Sequence, residues 1–288
     1  MKKNLLLMML GLVCLSLFSC VGSNQKQQQA LGNLDIKKPV PPQSNGVVRV
    51  MFVGNSHTKH HVSLPYLLES LCVENGKEIE TDALIVLGAS IDGIMEESKN
   101  EAEQLFSKTD NDGNYYDYII LQERSIVAVT QLEQYIKNCK SVVDKALINS
   151  PGTAVYVYEL MSPVEYSEAE FKGYQKDALI NAAEVAKSLN NAGVLRIGSA
   201  IANAYAGEEG YVPFVEEKDM LRYGFHLIND GGFLCGVLMY QALFNEFPRI
   251  PGQLPLCTGT GDDDVINMLD VNTTISNKDA LLKIAARY

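Results

Sequence analysis

The chain has 288 residues, of which 47% are apolar and 20% charged, with a formal charge of −11. That apolar share suffices for a sizeable buried core. The acidic balance argues against nucleic acid or another polyanion as the main partner, because phosphate binding needs Lys and Arg. It suits neutral ligands.

The first residues read as a targeting segment. Lys2 and Lys3 precede an apolar run from Leu5 to Phe18, shorter than the ~20 residues a membrane span needs. Leu17-Phe18-Ser19-Cys20 follows and looks like a lipobox. Residues 1–20 are therefore expected to be a lipoprotein signal peptide with lipid on Cys20; a plain secretory signal or an uncleaved anchor are the competing readings. This predicts a bacterial cell-envelope location and a membrane partner through the lipid anchor. Without the signal, 22 cations face 35 acids and the balance moves from −11 to −13. Residues 21–46 are rich in Gln, Asn, Ser and Pro and lack amphipathic periodicity, so they are expected to be a flexible tether.

Residues 47–288 are expected to be one domain. Val47 to Val53 is a continuous apolar and β-branched run, the pattern of a buried parallel strand. Leu64 to Glu74 has apolar residues at helical spacing and ends at Asn75-Gly76. The cycle repeats: strand 79–87, helix 91–106, strand 116–121, helix 130–147, strand 154–160, helix 168–189, a short strand 194–197 and a helix 230–244. Alternating β and α units imply a five-stranded parallel sheet with helices on both faces. No repeat of solenoid period occurs, which excludes an array fold. The tail after Pro248 is expected to be irregular, and Asp262 to Asp264 a solvated acidic loop without the spacing of a calcium site. Cys72, Cys139, Cys235 and Cys257 lack CxxC spacing, which argues against zinc ligation. The first three sit in apolar helical patterns and are expected to pack in the core.

Ligands of open parallel sheets bind beyond the carboxyl ends of the strands. After the first strand comes Gly54-Asn55-Ser56-His57-Thr58, a turn that exposes a hydroxyl or simply caps a helix. Gly88-Ala89-Ser90 follows the second strand, and the polar amide of Gln122 ends the third. Near the C-terminus stands His226, the only histidine in the last two thirds of the chain, within Tyr223-Gly224-Phe225-His226-Leu227. Each signal alone is weak.

Together and in this order they resemble the SGNH (GDSL-like) hydrolase superfamily, closest to a bacterial branch with the strings FVGNSHT, YDYIILQERS and YGFHLINDGGFL. The resemblance spans Val50 to about Phe244. It implies a three-layer α/β/α flavodoxin-like fold with strand order 2-1-3-4-5, and no metal or organic cofactor. It also implies Ser56 as nucleophile, His226 as general base, and an oxyanion hole of the Ser56 and Gly88 backbone N–H groups with the Gln122 side chain. Such donors are worth ~3 kcal/mol each when aimed at transition-state charge. Asn55 and His57 would line the substrate pocket. Activity is then expected to fall below pH ~6.5, where an unperturbed histidine protonates.

Two positions depart from the superfamily pattern. Tyr223 stands where an Asp usually orients the histidine; Asp219, Asp230 or a backbone carbonyl would have to replace it. Gln122 stands where many members carry Asn. The expected function is a serine esterase removing acyl groups, acetyl above all, from carbohydrate or another small ester. The alternative is a catalytically weakened relative that binds glycans. The chain has no Trp, which weakens the case for a broad sugar-stacking platform. His57, His60 and His61 lie within five positions and would meet a metal only if the turn bent suitably; no acidic ligand accompanies them, and no metal is expected.

Overall fold

The computed structural model describes residues 34, 36–42, 46–111, 113–212, 220–222, 224–257 and 266–288. Cys20, the acidic run at Asp262 to Asp264, and two of the expected histidine orienters, Asp219 and Tyr223, lie outside them. Among the described residues no helix is long and apolar enough to cross a membrane.

The parallel sheet has the order β2-β1-β3-β4-β5. Its strands are β1 (Val48–Gly54), β2 (Ile79–Ile85), β3 (Tyr118–Leu121), β4 (Ala154–Tyr158) and β5 (Ala192–Leu195). Val50, Met51, Phe52 and Val53 of the central β1 are fully buried, which is why this run is apolar at every position and does not alternate. Each such side chain contributes about 1.5–3 kcal/mol by leaving water.

The connecting helices are α1 (Leu64–Glu74), α2 (Ile91–Glu97), α3 (Lys99–Phe106), α4 (Ser125–Thr130), α5 (Leu132–Ala146), α6 (Glu168–Ser188), α7 (Ile197–Tyr205) and α8 (Asn229–Phe244). Ser167 opens α6 with a capping box, in which its hydroxyl accepts from the Glu170 N–H and the Glu170 carboxylate accepts from the Ser167 N–H. Helix α8 packs on α1 and α7, while α4, α5 and α6 pack on one another. This gives the expected three layers. Cys72, Cys139 and Cys235 are free thiols buried in the core.

Three expectations are corrected. The single helix 91–106 is two, α2 and α3, divided at Ser98 with φ −97° and ψ 27°. Strand β5 begins at Ala192, ahead of the expected 194, because Asn191 takes a left-handed φ of 50° and turns the chain within one residue; Ile197 then starts α7. The tail is ordered where described: β8 (Gln253–Cys257) and β9 (Ile266–Asp270) form an antiparallel hairpin. After it come α9 (Val271–Thr274) and α10 (Lys278–Ala285), with Leu281 and Ile284 of α10 fully buried.

Part of the segment expected to be a tether lies in the compact unit, which begins at Ile36, eleven residues before the expected domain start at Val47. The Asn191 side chain accepts from the Val40 N–H and donates to the Val40 carbonyl, both at 2.7 Å. A side-chain amide thus pairs with Val40 as a neighbouring strand would, and Pro39 is buried alongside.

Candidate active site

The turn after β1 is built around Asn55. Its carbonyl accepts the N–H groups of Thr58 and Lys59 at 2.9 and 3.2 Å, and its own N–H donates to Gln122 Oε1 at 2.8 Å. Gln122 Oε1 also accepts the Thr58 hydroxyl at 3.1 Å, and Nε2 donates to the Glu123 carbonyl at 2.5 Å. A Cβ on Gly54 would run into Thr58 Oγ1 and come within 2.9 Å of Gln122 Oε1. Only glycine fits here, for reasons of space. Within this otherwise buried turn Ser56 alone is half-exposed.

Gln122, expected to help hold an oxyanion, is engaged at both ends of its amide. It is fully buried, and its amide braces the turn from below through both ends. The two backbone donors fare differently. Asn55 Nδ2 donates to the Ala89 carbonyl at 2.8 Å, which ties the loop after β2 to the Ser56 turn and brings exposed Gly88, at φ 73°, alongside. Among the described residues neither the Ser56 nor the Gly88 N–H has an acceptor. Asn55 and His57, expected in the pocket, are both buried. Asn55 Oδ1 accepts the His57 N–H at 3.2 Å, and His57 Nε2 lies 3.3 Å from the Ser125 hydroxyl. They shape the turn more than they line an opening. Ser125, the first residue of α4, was not singled out by sequence because nothing local marks a hydroxyl at a helix start as a partner for a ring 68 positions earlier.

His226 is delivered by a short antiparallel hairpin, β6 (Leu221–Arg222) and β7 (His226–Leu227), in which Arg222 pairs with His226. The hairpin is held at its tip by the Val164 N–H, which donates to the Gly224 carbonyl at 2.9 Å. Its base is fixed by α8: a Cβ on Gly231 would collide with the Met220 carbonyl, so a bare glycine lets helix and hairpin approach. The result is a contact of 2.9 Å between His226 Nε2 and Ser56 Oγ, across 170 positions of sequence.

The other ring nitrogen, Nδ1, is buried and has no hydrogen-bond partner among the described residues. Asp230, one of the expected orienters, does not supply one. It sits fully buried in the first turn of α8 and accepts from the Tyr211 hydroxyl at 2.9 Å, from the Ser276 N–H at 3.2 Å and from the Ser276 hydroxyl. Its carboxylate joins α8 to the C-terminal segment.

Aromatic rings surround His226 instead. Ring centroids of Phe225, His60, His57 and His61 stand 4.3, 4.7, 5.6 and 5.8 Å away. Burial, with the neighbouring charges of His57, His60 and His61, pushes the His226 pKa down to about 3. Burial, against the opposing pull of a hydrogen bond to the Phe225 backbone, takes the His57 pKa to about 4. A neutral His226 accepts a proton at Nε2, and the acid limit of such chemistry lies below the pH ~6.5 expected from an unperturbed ring. His60, His61 and His226 also each offer one ring nitrogen within 4.8 Å of the others; His57 does not belong to that set.

The chain thus has a three-layer α/β fold with a parallel sheet of order 2-1-3-4-5, Ser56 after the first strand and His226 before the last helix of the α/β unit, a fold it shares with SGNH hydrolase structures. Solved structures agree: a DUF4886 family protein from Bacteroides uniformis matches at a TM-score of 0.56 and 16% identity, over 71% of this chain and 87% of that one. An acetyl xylan esterase matches at 0.50 and 16%, over 68% and 100%. The lipase/acylhydrolase from Enterococcus faecalis matches at 0.50 and 13%, over 71% and 100%. No protein-family model and no curated protein sequence matches the chain.

Proposed function

We propose that the protein is a serine esterase that removes acetyl or other short acyl groups from carbohydrate at the bacterial cell envelope. The observation that carries this is the 2.9 Å contact between Ser56 Oγ and His226 Nε2. In the reaction His226 takes the hydroxyl proton as Ser56 attacks the ester carbonyl. The Ser56 and Gly88 N–H groups receive the oxyanion, since their hydrogens have no acceptor among the described residues. His226 then protonates the departing alcohol, and water repeats the cycle to free Ser56.

The substrate class is supported by three features. The acidic chain suits a neutral ester. Phe225 is half-exposed beside His226 and offers a flat apolar face on which a sugar ring can rest. An acetyl xylan esterase shares the fold. Attachment through lipid on Cys20 belongs to the same proposal; labelling with radioactive palmitate should be lost in Cys20→Ala.

The decisive experiment is reaction with a fluorophosphonate probe together with acetate release from acetylated glycans. Labelling and release are expected in the native protein and absent in Ser56→Ala. Labelling that persists without Ser56 overturns the assignment. The second reading, glycan binding without turnover, is favoured by the Nδ1 of His226, which has no hydrogen-bond partner among the described residues; it is the conclusion if neither labelling nor release occurs while acetylated glycan still binds.

A further inference from the structure

We infer that His60, His61 and His226 form a binding site for a first-row divalent cation of the zinc class, and that this cation and Ser56 compete for the same imidazole. One ring nitrogen from each residue lies within 4.8 Å of the other two. The His60 and His61 rings face each other at 4.1 Å, with His226 4.7 Å from the first and 5.8 Å from the second. Imidazole suits zinc, copper, nickel and iron, whereas magnesium and calcium take oxygen ligands. Three histidines with a fourth position open is a known zinc ligand set.

Tetrahedral zinc with Zn–N distances of ~2.0–2.1 Å holds its ligand nitrogens ~3.3 Å apart, so the rings have to close by about 1.5 Å at most. Two of the rings share one short irregular stretch. Between Thr58 and Leu64 the backbone belongs to neither helix nor sheet, and its hydrogen bonds are local: the Lys59 N–H to the Asn55 carbonyl at 3.2 Å, the His60 N–H to the Val62 carbonyl at 3.4 Å and the Leu64 N–H to the Thr58 carbonyl at 3.0 Å, with a bridge of Lys59 to Ser63. His226 is prepared on its own side, because its Nδ1 is buried with no hydrogen-bond partner among the described residues. The set differs from the one sequence adjacency suggests: His57 turns to Ser125, and the third ligand comes from the far end of the chain.

The functional consequence rests on the esterase reading. A neutral imidazole that gives one nitrogen to a metal keeps its proton on the other. Metal at Nδ1 leaves Nε2 as a donor toward Ser56, unable to take its proton. Metal at Nε2 displaces Ser56 altogether. Either arrangement silences the site, and removal of the metal restores it.

The test uses full-length protein stripped with a chelator. It is titrated with Co²⁺, whose visible d–d bands report imidazole coordination, and with Zn²⁺ followed by elemental analysis. One equivalent per chain is expected. Ser56→Ala should bind it equally, and His60→Gln, His61→Gln and His226→Gln each at least about tenfold more weakly. Substoichiometric uptake, or affinity unchanged in these histidine variants, overturns the site. In parallel, ester hydrolysis by the stripped protein should fall at least about tenfold with one equivalent of Zn²⁺ and return with chelator. The His60→Gln/His61→Gln double variant should lose that sensitivity relative to its own metal-free rate. One equivalent bound with turnover undiminished overturns His226 as a ligand. A stripped protein with no turnover at all overturns the esterase reading instead, and the cobalt titration of the variants then decides the site alone.

Discussion

Glu159 and His226 both lie beyond the carboxyl edge of the sheet, and their surroundings are finished in opposite ways. Glu159, just after β4, is fully buried. It accepts from the Ser199 hydroxyl at 2.7 Å, the Ser199 N–H at 3.1 Å and Gln175 Nε2 at 2.8 Å, with Arg196 Nε at 3.5 Å. Burial still raises its pKa against the opposing pull of Arg196, Ser199 and Gln175. Both carboxylate oxygens accept hydrogen bonds, from Gln175 of α6 and Ser199 of α7, and Arg196 just before α7 adds an ion pair. Among the described residues His226 has one hydrogen-bond partner, Ser56, and a second ring nitrogen with none. A saturated buried group fastens elements together; one with a single hydrogen bond and rings around it is left able to react or to bind.

The contrast is open to direct attack. The largest effect is expected from His226→Ala, which should lower ester turnover by about 10⁴-fold or more while Tm moves little, because one contact is lost and an unsatisfied nitrogen goes with it. A large fall in Tm would show that the ring is structural. Glu159→Ala should do the reverse. It strands Arg196, Ser199 and Gln175 and should cost about 3 kcal/mol, or roughly 6–12 °C in Tm, with turnover per folded molecule close to native; an unchanged Tm would dissolve the comparison.

Gln122→Ala sharpens it. The Asn55 N–H and Thr58 hydroxyl lose their acceptor, so a stability loss of about 1–3 kcal/mol should appear equally in a Ser56→Ala background. An oxyanion donor would instead cost ~10²–10³ in rate with no change in unfolding. The smallest effect is expected from Ser125→Ala, which removes one long contact to His57. Chemical denaturation should register about 1 kcal/mol or less, and anything larger would make Ser125 part of the working site.

Much of this was legible from particular residues. The run Val47 to Val53 announces a strand buried on both faces, and a glycine followed by Asn-Ser marks its end. Order along the chain then pairs Ser56 with His226. What the residues could not reveal is how the missing Asp is answered: Asp230, one of the candidates to replace it, is engaged by Tyr211 and Ser276. The bracing part of Gln122 was hidden for a similar reason: its oxygen lies beneath a backbone N–H that only the folded turn brings there. The C-terminal hairpin escaped notice because its two five-residue strands carry Pro255 and Asn267 and lie apart in sequence, so neither shows a clear apolar period.

The clasp between Val40 and Asn191 gives the molecule a mechanical polarity. Asn191 immediately precedes β5, and all five strands run the same way, so the clasp lies at the sheet end opposite Ser56. Whatever grips the domain through Val40 therefore does so at the edge of the sheet farthest from the Ser56 turn.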